Sequence, residues 1–360
     1  MPHLIRNCIF TVVFIWSLSV QADEQVKTVG VITTLSGGMA TIGKAIKNGV
    51  ELARTEHPKL FQNLTFIYED DQFDAKHGIS AYRKLITINR ASVLFGFGGY
   101  LAHAIGLSVE RDKVPFINFN FEAAPAVGKK FIIRSTNYID QYMLLLAQYL
   151  RNSNTAEFPI IQTESTFLSS MIKSLENALG AETRLLSIAT VSPNETDFRT
   201  IITKLRKYSG KKIGLFLWPE QLIAFTRQAR EFGFSAEYFG TDLCETAAVL
   251  PTGAALMEGC VYPDNEVSSA FRESYRRRFG DEAQLTFAGS AYDMAVLIGT
   301  LQSEGKLQEP LIFMKSLREV KDFSGVLGKY SFRDELAAGQ FFQYAVQIKR
   351  ITNGRGVPIE

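Results

Sequence analysis

The residues of this chain best suited to chemistry cluster where short apolar runs give way to turns. Ser36 lies in the turn Leu35-Ser36-Gly37-Gly38, after the apolar run 26–32. Gly98 and Gly99 follow the run 93–97, with Tyr100 beside them. A Gly-Gly pair lets backbone approach a bound group closely, and its N–H groups suit a carboxylate or another anion. A tight turn and nothing more is the plainer use. Tyr100 adds a hydroxyl donor and a ring. In Asn118-Phe119-Asn120-Phe121-Glu122, strand alternation sends Asn118, Asn120 and Glu122 one way and the phenylalanines the other. Glu122 is placed to pair with a ligand amine, or with a lysine of its own chain. Trp218 ends the run 212–217 and precedes Pro219, and Asp242 follows the short run 238–240. This set can hydrogen-bond, stack and pair charges, which is the chemistry of binding.

Signs of catalysis are missing from the sequence. It has no HExxH, GxSxG or P-loop pattern. His57, His77 and His103 show no metal-ligand spacing. The acidic run Glu69-Asp70-Asp71 with Asp74 looks at first like a metal or acid–base cluster. The expectation is a protein that is not an enzyme and uses no metal and no cofactor. Lysine and arginine number 39 against 37 aspartates and glutamates, so a nucleic-acid partner has no electrostatic support.

His3 and Arg6 precede an apolar stretch, 8–20, that ends in Val20-Gln21-Ala22 ahead of Asp23-Glu24. This reads as a secretory signal peptide, 1–22, cleaved near Ala22. The stretch is short for a membrane span, which needs roughly 20 apolar residues, although an uncleaved anchor is the alternative. Cys244 and Cys260 remain beyond it. In an oxidising compartment they either form a disulfide, worth roughly 3 kcal/mol for a loop of this length, or stay as separate buried thiols.

The elements that must position these residues alternate. Apolar runs at 26–32, 64–69, 93–97, 116–118 and 131–135 alternate with helical patterns at 42–55, 74–88 and 102–111. A second series runs from 140 to 240. Such alternation gives α/β architecture, with a parallel sheet covered by helices on both faces. Ligands bind beyond the carboxyl ends of such strands. The tail reads as a hairpin at 323–332 and one terminal strand at 342–349. Arg276-Arg277-Arg278 is a solvated helix face or, less simply, a docking patch.

The order of several motifs carries a resemblance. GVITTLSGG with NGVELA, YEDDQFD, LFGFGG, VPFI, TDF at 196–198, SAYD at 290–293 and FSGVLGKYSF at 323–332 together resemble the type I periplasmic binding proteins. The branch is that of the branched-chain amino acid (Leu/Ile/Val) binding proteins of ABC importers. The resemblance implies two Rossmann-like lobes joined by three crossovers, near Ser135, Tyr262 and Gly339. Lobe 1 is then 23–135 plus 263–339, and lobe 2 is 136–262 plus 340–360. It implies a soluble periplasmic component that closes on a small amino-acid-like or aromatic organic ligand and meets an ABC permease. The alternative is a sensory subunit that signals to a membrane receptor or histidine kinase. A monomer suits lobes that must move. The acidic segment is structural in relatives. Tyr100 stands where relatives carry a serine that grips the ligand carboxylate, and 118–122 replaces a run of small residues. Trp218 falls where an aromatic side chain meets the ligand, unless it is a core residue. Asp242 falls near the acid that holds the ligand ammonium, unless it caps the next helix. The family's first-lobe disulfide would use the position of Phe73, so it is absent. If Tyr100 and Trp218 face each other, a planar or aromatic ligand fits between them, and Glu122 and Asp242 then favour a cationic or amine-bearing group.

Overall fold

The computed structural model describes residues 26–37, 39–153, 155–248, 252–280 and 284–359. The segment 1–22, read from the sequence as a signal peptide, and Gly38 of the first turn lie outside the described residues. Two sheets form. In the first, β1 (Lys27–Thr33), β2 (Leu64–Asp70), β3 (Val93–Phe97), β4 (Phe116–Phe119) and β5 (Ile132–Arg134) run parallel. Between them lie α1 (Ala40–Glu56), α2 (Ala75–Thr87) and α3 (Gly99–Asp112). β3 is buried along its whole length, as a strand covered on both faces must be. Asp74 caps α2, accepting the N–H groups of Lys76 and His77.

The second sheet repeats the scheme. β6 (Glu157–Thr163), β7 (Arg184–Val191), β8 (Lys212–Phe216), β9 (Glu237–Phe239) and β10 (Val261–Asn265) run parallel. Their helices are α4 (Ile139–Arg151), α5 (Thr166–Leu179), α6 (Arg199–Leu205), α7 (Pro219–Glu231), α8 (Leu243–Ala248) and α9 (Gly253–Leu256). The chain then returns to the first lobe through α10 (Ser269–Phe279), α11 (Leu285–Ser303) and α12 (Pro310–Arg318). A Cβ on Gly49 would lie 2.0 Å from the Ala288 carbonyl oxygen, so glycine lets α1 pack directly on α11. β11 (Phe323–Gly325) and β12 (Gly328–Glu335) form the expected hairpin, and β13 (Gly339–Tyr344) pairs with β12 and with β5. β14 (Val346–Thr352) and β15 (Arg355–Pro358) complete the second sheet beside β10.

The chain crosses between the sheets after β5, after β10 and at Ala345. Two of these points differ from the expectation. Tyr262 lies inside β10, which stays in the second sheet through Asn265. Gly339 opens β13, which stays in the first sheet through Tyr344. The run 342–349 is therefore two strands in two sheets, not one. Its apolar pattern carries straight through the break, so hydrophobicity does not mark it. Hydrogen bonds do. Asn137 Nδ2 donates to the Tyr344 carbonyl at 3.1 Å, and the Tyr344 N–H donates to Asn137 Oδ1 at 2.9 Å. Asn265 Nδ2 donates to the Ala345 carbonyl at 3.3 Å, and Tyr142 donates its hydroxyl to Asn265 Oδ1 at 2.5 Å. The three crossing segments are thus laced side by side by buried amides. Asn137→Ala would leave both Tyr344 backbone groups buried without partners, at an expected cost of about 1–3 kcal/mol. Urea unfolding with an unchanged midpoint would refute this role.

Candidate functional site

Strand order decides where a ligand can sit. The first sheet runs β2-β1-β3-β4-β5 and the second β7-β6-β8-β9-β10. Each order reverses once, between β1 and β3 and between β6 and β8, and a crevice opens beyond the carboxyl ends at such a reversal. Both crevices face one cleft. It holds a cavity of about 310 Å³ to one side, near Tyr138, and, at its centre, a cavity of about 520 Å³. The central cavity is walled by Phe73, Tyr100, Phe121 and Phe287 from the first lobe, and by Phe167 and Trp218 from the second. Its charged lining groups are Glu122 and Asp242; among the described residues no lysine, arginine or histidine lines it.

The first-lobe wall hangs on Asp71. This fully buried carboxylate accepts the Thr34 hydroxyl at 2.8 Å, the Tyr100 hydroxyl at 2.6 Å and the Phe73 N–H at 3.0 Å. It therefore joins the loops after β1, β2 and β3. Burial, then the hydrogen bond to Asp71, push the Tyr100 phenol well above its ordinary value. Its hydroxyl is committed to the protein, and the ring is what it offers the cleft. Gln72 and Phe73 take left-handed backbone, φ 53° and 58°. The Asp70 and Asp71 carboxylates accept their N–H groups and hold that turn. The Phe73 ring meets Tyr100 edge-on with centroids 4.5 Å apart. The acidic run is structural, and the described residues contain no His, Cys, Asp and Glu group fit for a metal ion.

Several expected site residues serve this scaffold rather than the cavity. Ser36 is exposed, donates to Asp70 Oδ2 at 2.6 Å, and is not on the cavity wall. Burial works to raise the Asp70 carboxyl, but hydrogen bonds from Ser36, Leu35 and Gln72 prevail and hold it below its ordinary value. Asn118 is fully buried and also leaves the wall, because its amide donates to the Gly96 and Gly98 carbonyls at 3.0 and 3.2 Å. That clamp holds Gly98 at φ 88°, a backbone angle that calls for glycine. The alternation across 118–122 also fails. β4 ends at Phe119, and Asn120 then turns the chain, accepting the Glu122 N–H and donating to the Glu122 carbonyl, both at 3.1 Å. Phe119 and Phe121 consequently reach the cavity together with Asn120 and Glu122.

Gly98, Gly99 and Tyr100 line the cavity at the start of α3. The Glu122 carboxylate lies over Gly99; a Cβ there would sit 2.6 Å from Glu122 Oε2. Its basic neighbour is the His103 imidazole, with Nε2 at 3.8 Å, rather than a lysine. Trp218 is half-buried at the start of α7. Asp242 is half-buried on the cavity wall just ahead of α8, where its carbonyl accepts the Thr246 N–H at 3.2 Å and Thr241 Oγ1 accepts the Leu243 N–H at 3.2 Å. Burial first, then the Asp264 and Glu245 carboxylates, push Asp242 up to about 7. Cys244 and Cys260 are free thiols, not a disulfide. They meet in the buried second-lobe core, where burial and the hydrogen bond to Cys260 push the Cys244 thiol up. Sequence reasoning missed Phe167 and Phe287. Phe167 sits at the β6/β8 reversal, a position that strand order alone could have flagged.

This geometry is that of a two-lobed solute-binding protein. The periplasmic binding protein family model matches residues 27–355, so the chain belongs to that family. Its members are periplasmic solute-binding proteins. Leu/Ile/Val-binding protein homolog 2 of Brucella abortus is 25% identical over 332 residues, covering 84% of this chain and 85% of the relative. Two solved structures share the fold. One is a solute-binding protein of an ABC transporter from Rhodopseudomonas palustris BisB5 in complex with 3,4-dihydroxy benzoic acid, with TM-score 0.78 and 16% identity, covering 93% of this chain and 96% of that one. The other is LivJ from Streptococcus pneumoniae in complex with isoleucine, with TM-score 0.76 and 20% identity, covering 93% and 100%. Among the described residues no helix is long and apolar enough to cross a membrane.

The Asp242 shift sets a pH dependence. An acid with a raised folded-state pKa holds its proton more tightly when folded, so its contribution to stability is lost as pH rises from 3.8 to about 7. Asp242→Asn escapes that loss. Its melting temperature relative to the unsubstituted protein is expected to rise by a few degrees between about pH 5 and about pH 8. A difference that stays constant across that range would refute the shift.

Proposed function

We propose that this protein is the solute-binding component of an ABC importer and closes its lobes on a small organic ligand with an aromatic or planar apolar body. The observation that carries this reading is the cavity of about 520 Å³ at the two strand-order reversals, with aromatic rings on both sides. That volume suits a small molecule, and its walls combine apolar surface with a few polar groups. Tyr100 and Phe287 belong to the first lobe, and Phe167 and Trp218 to the second. A ligand that touches both sets favours the closed form by the difference between its affinities for closed and open forms. The mature protein acts as a monomer in this reading, its lobes free to rotate.

Trp218 is the one tryptophan left once the signal peptide, which contains Trp16, is removed. The test unfolds and refolds the mature protein to strip carried ligand. It then titrates aromatic acids, amines, amino acids and short amides while reading tryptophan emission and melting temperature. A saturable emission change with a matching rise in melting temperature is expected, since a ligand at about 100 times its Kd adds about 2.7 kcal/mol to stability. A thermal shift with flat emission would remove Trp218 from the site. Silence in both signals across the panel would overturn the reading.

A further inference from the structure

Resting on that reading, we infer that the ligand is an organic cation without a carboxylate, an aryl-alkyl amine whose ammonium pairs with Asp242 while its ring lies among the aromatic walls. Four observations converge on it. A ligand carboxylate would find no cationic side chain, since among the described residues no lysine, arginine or histidine lines the cavity. A charge taken out of water needs such a partner or a full set of hydrogen bonds.

Two of the groups that might take the place of a cation are already engaged on the first-lobe wall. The Tyr100 hydroxyl is given to Asp71 at 2.6 Å. The glycine backbone at the start of α3 is the natural place for an anion, but the protein's own Glu122 carboxylate lies over Gly99. A ligand carboxylate there would meet a like charge.

The acids on the opposite wall are unequal. Asp264 pairs with Lys349 Nζ at 2.7 Å. Glu245 has Lys349 at 3.8 Å and Arg272 at 3.5 Å. Asp242, on the cavity wall, has no ion-pair partner among the described residues. Three carboxylates therefore share two cations, and the carboxylate left over is the one a ligand can reach. An ammonium group supplies the missing positive charge, and the surrounding ring faces attract a cation as well.

Three probes with one ring separate the possibilities. Refolded mature protein is titrated by calorimetry with 2-phenylethylamine, L-phenylalanine and 3-phenylpropionate. The amine is expected to bind at least about tenfold tighter than the amino acid, and the propionate not at all. Asp242→Asn is expected to weaken the amine by about a hundredfold. Glu122→Gln is expected to improve L-phenylalanine, because it removes the charge that lies over Gly99. It also serves if Asp242→Asn folds poorly. Tighter binding of L-phenylalanine or 3-phenylpropionate than of the amine would overturn the inference and leave the importer reading standing. No binding of the amine would overturn it too. Failure of the wider ligand panel as well would take the proposed function with it.

Discussion

Asp71 is the constraint on which the first-lobe wall depends. A carboxylate with no solvent exposure is tolerable only when its oxygens are met by donors, and here three donors come from three loops. The requirement works in both directions. The loops satisfy the buried charge, and the buried charge fixes the loops. Tyr100 cannot swing its hydroxyl into the cleft without leaving Asp71 short of a donor. Phe73 keeps a left-handed backbone because the same carboxylate holds its N–H. The ring wall that a ligand meets is thus the outer surface of a buried polar knot.

The second lobe solves the same architectural problem with different chemistry. Its reversal point carries Phe167 and Trp218, and behind its acidic wall lies a buried lysine. Lys349 is 2% exposed and sits between Asp264 and Glu245. Its strand, β14, enters the second sheet directly from the crossing at Ala345. Asp264 also accepts the Thr286 hydroxyl at 2.8 Å, and Gln284 Nε2 donates to Thr246 Oγ1 at 2.7 Å. Both bonds run from the first-lobe helix region to the second lobe. The charged layer therefore belongs to the cleft and to the contact between lobes together.

Much of this was legible because buried parallel strands are contiguous apolar runs, and because turn residues punctuate them. The α/β alternation, the Asp74 cap and the 323–332 hairpin follow from such local signals. Trp218 and Asp242 came from resemblance rather than from pattern. Other features were hidden for identifiable reasons. Ser36 and Asn118 look like site residues because they are polar and sit at strand ends, but their partners, Asp70 and the Gly98 turn, are distant in sequence. Phe287 was invisible because α11 is buried on nearly every side, so no apolar stripe marks the side facing the cleft. The break at Ala345 escaped notice because the apolar pattern does not pause there.

The lacing of the crossing segments has a consequence for what the protein can tell its partner. Hinge motion confined to three strands tied side by side leaves the lobes little freedom beyond a single swing. Whatever molecule occupies the cleft, its identity is compressed into one angle before a permease meets the outer surfaces. Recognition and reporting are thereby uncoupled. The cavity walls can be rewritten residue by residue while the message delivered at the membrane keeps the same form.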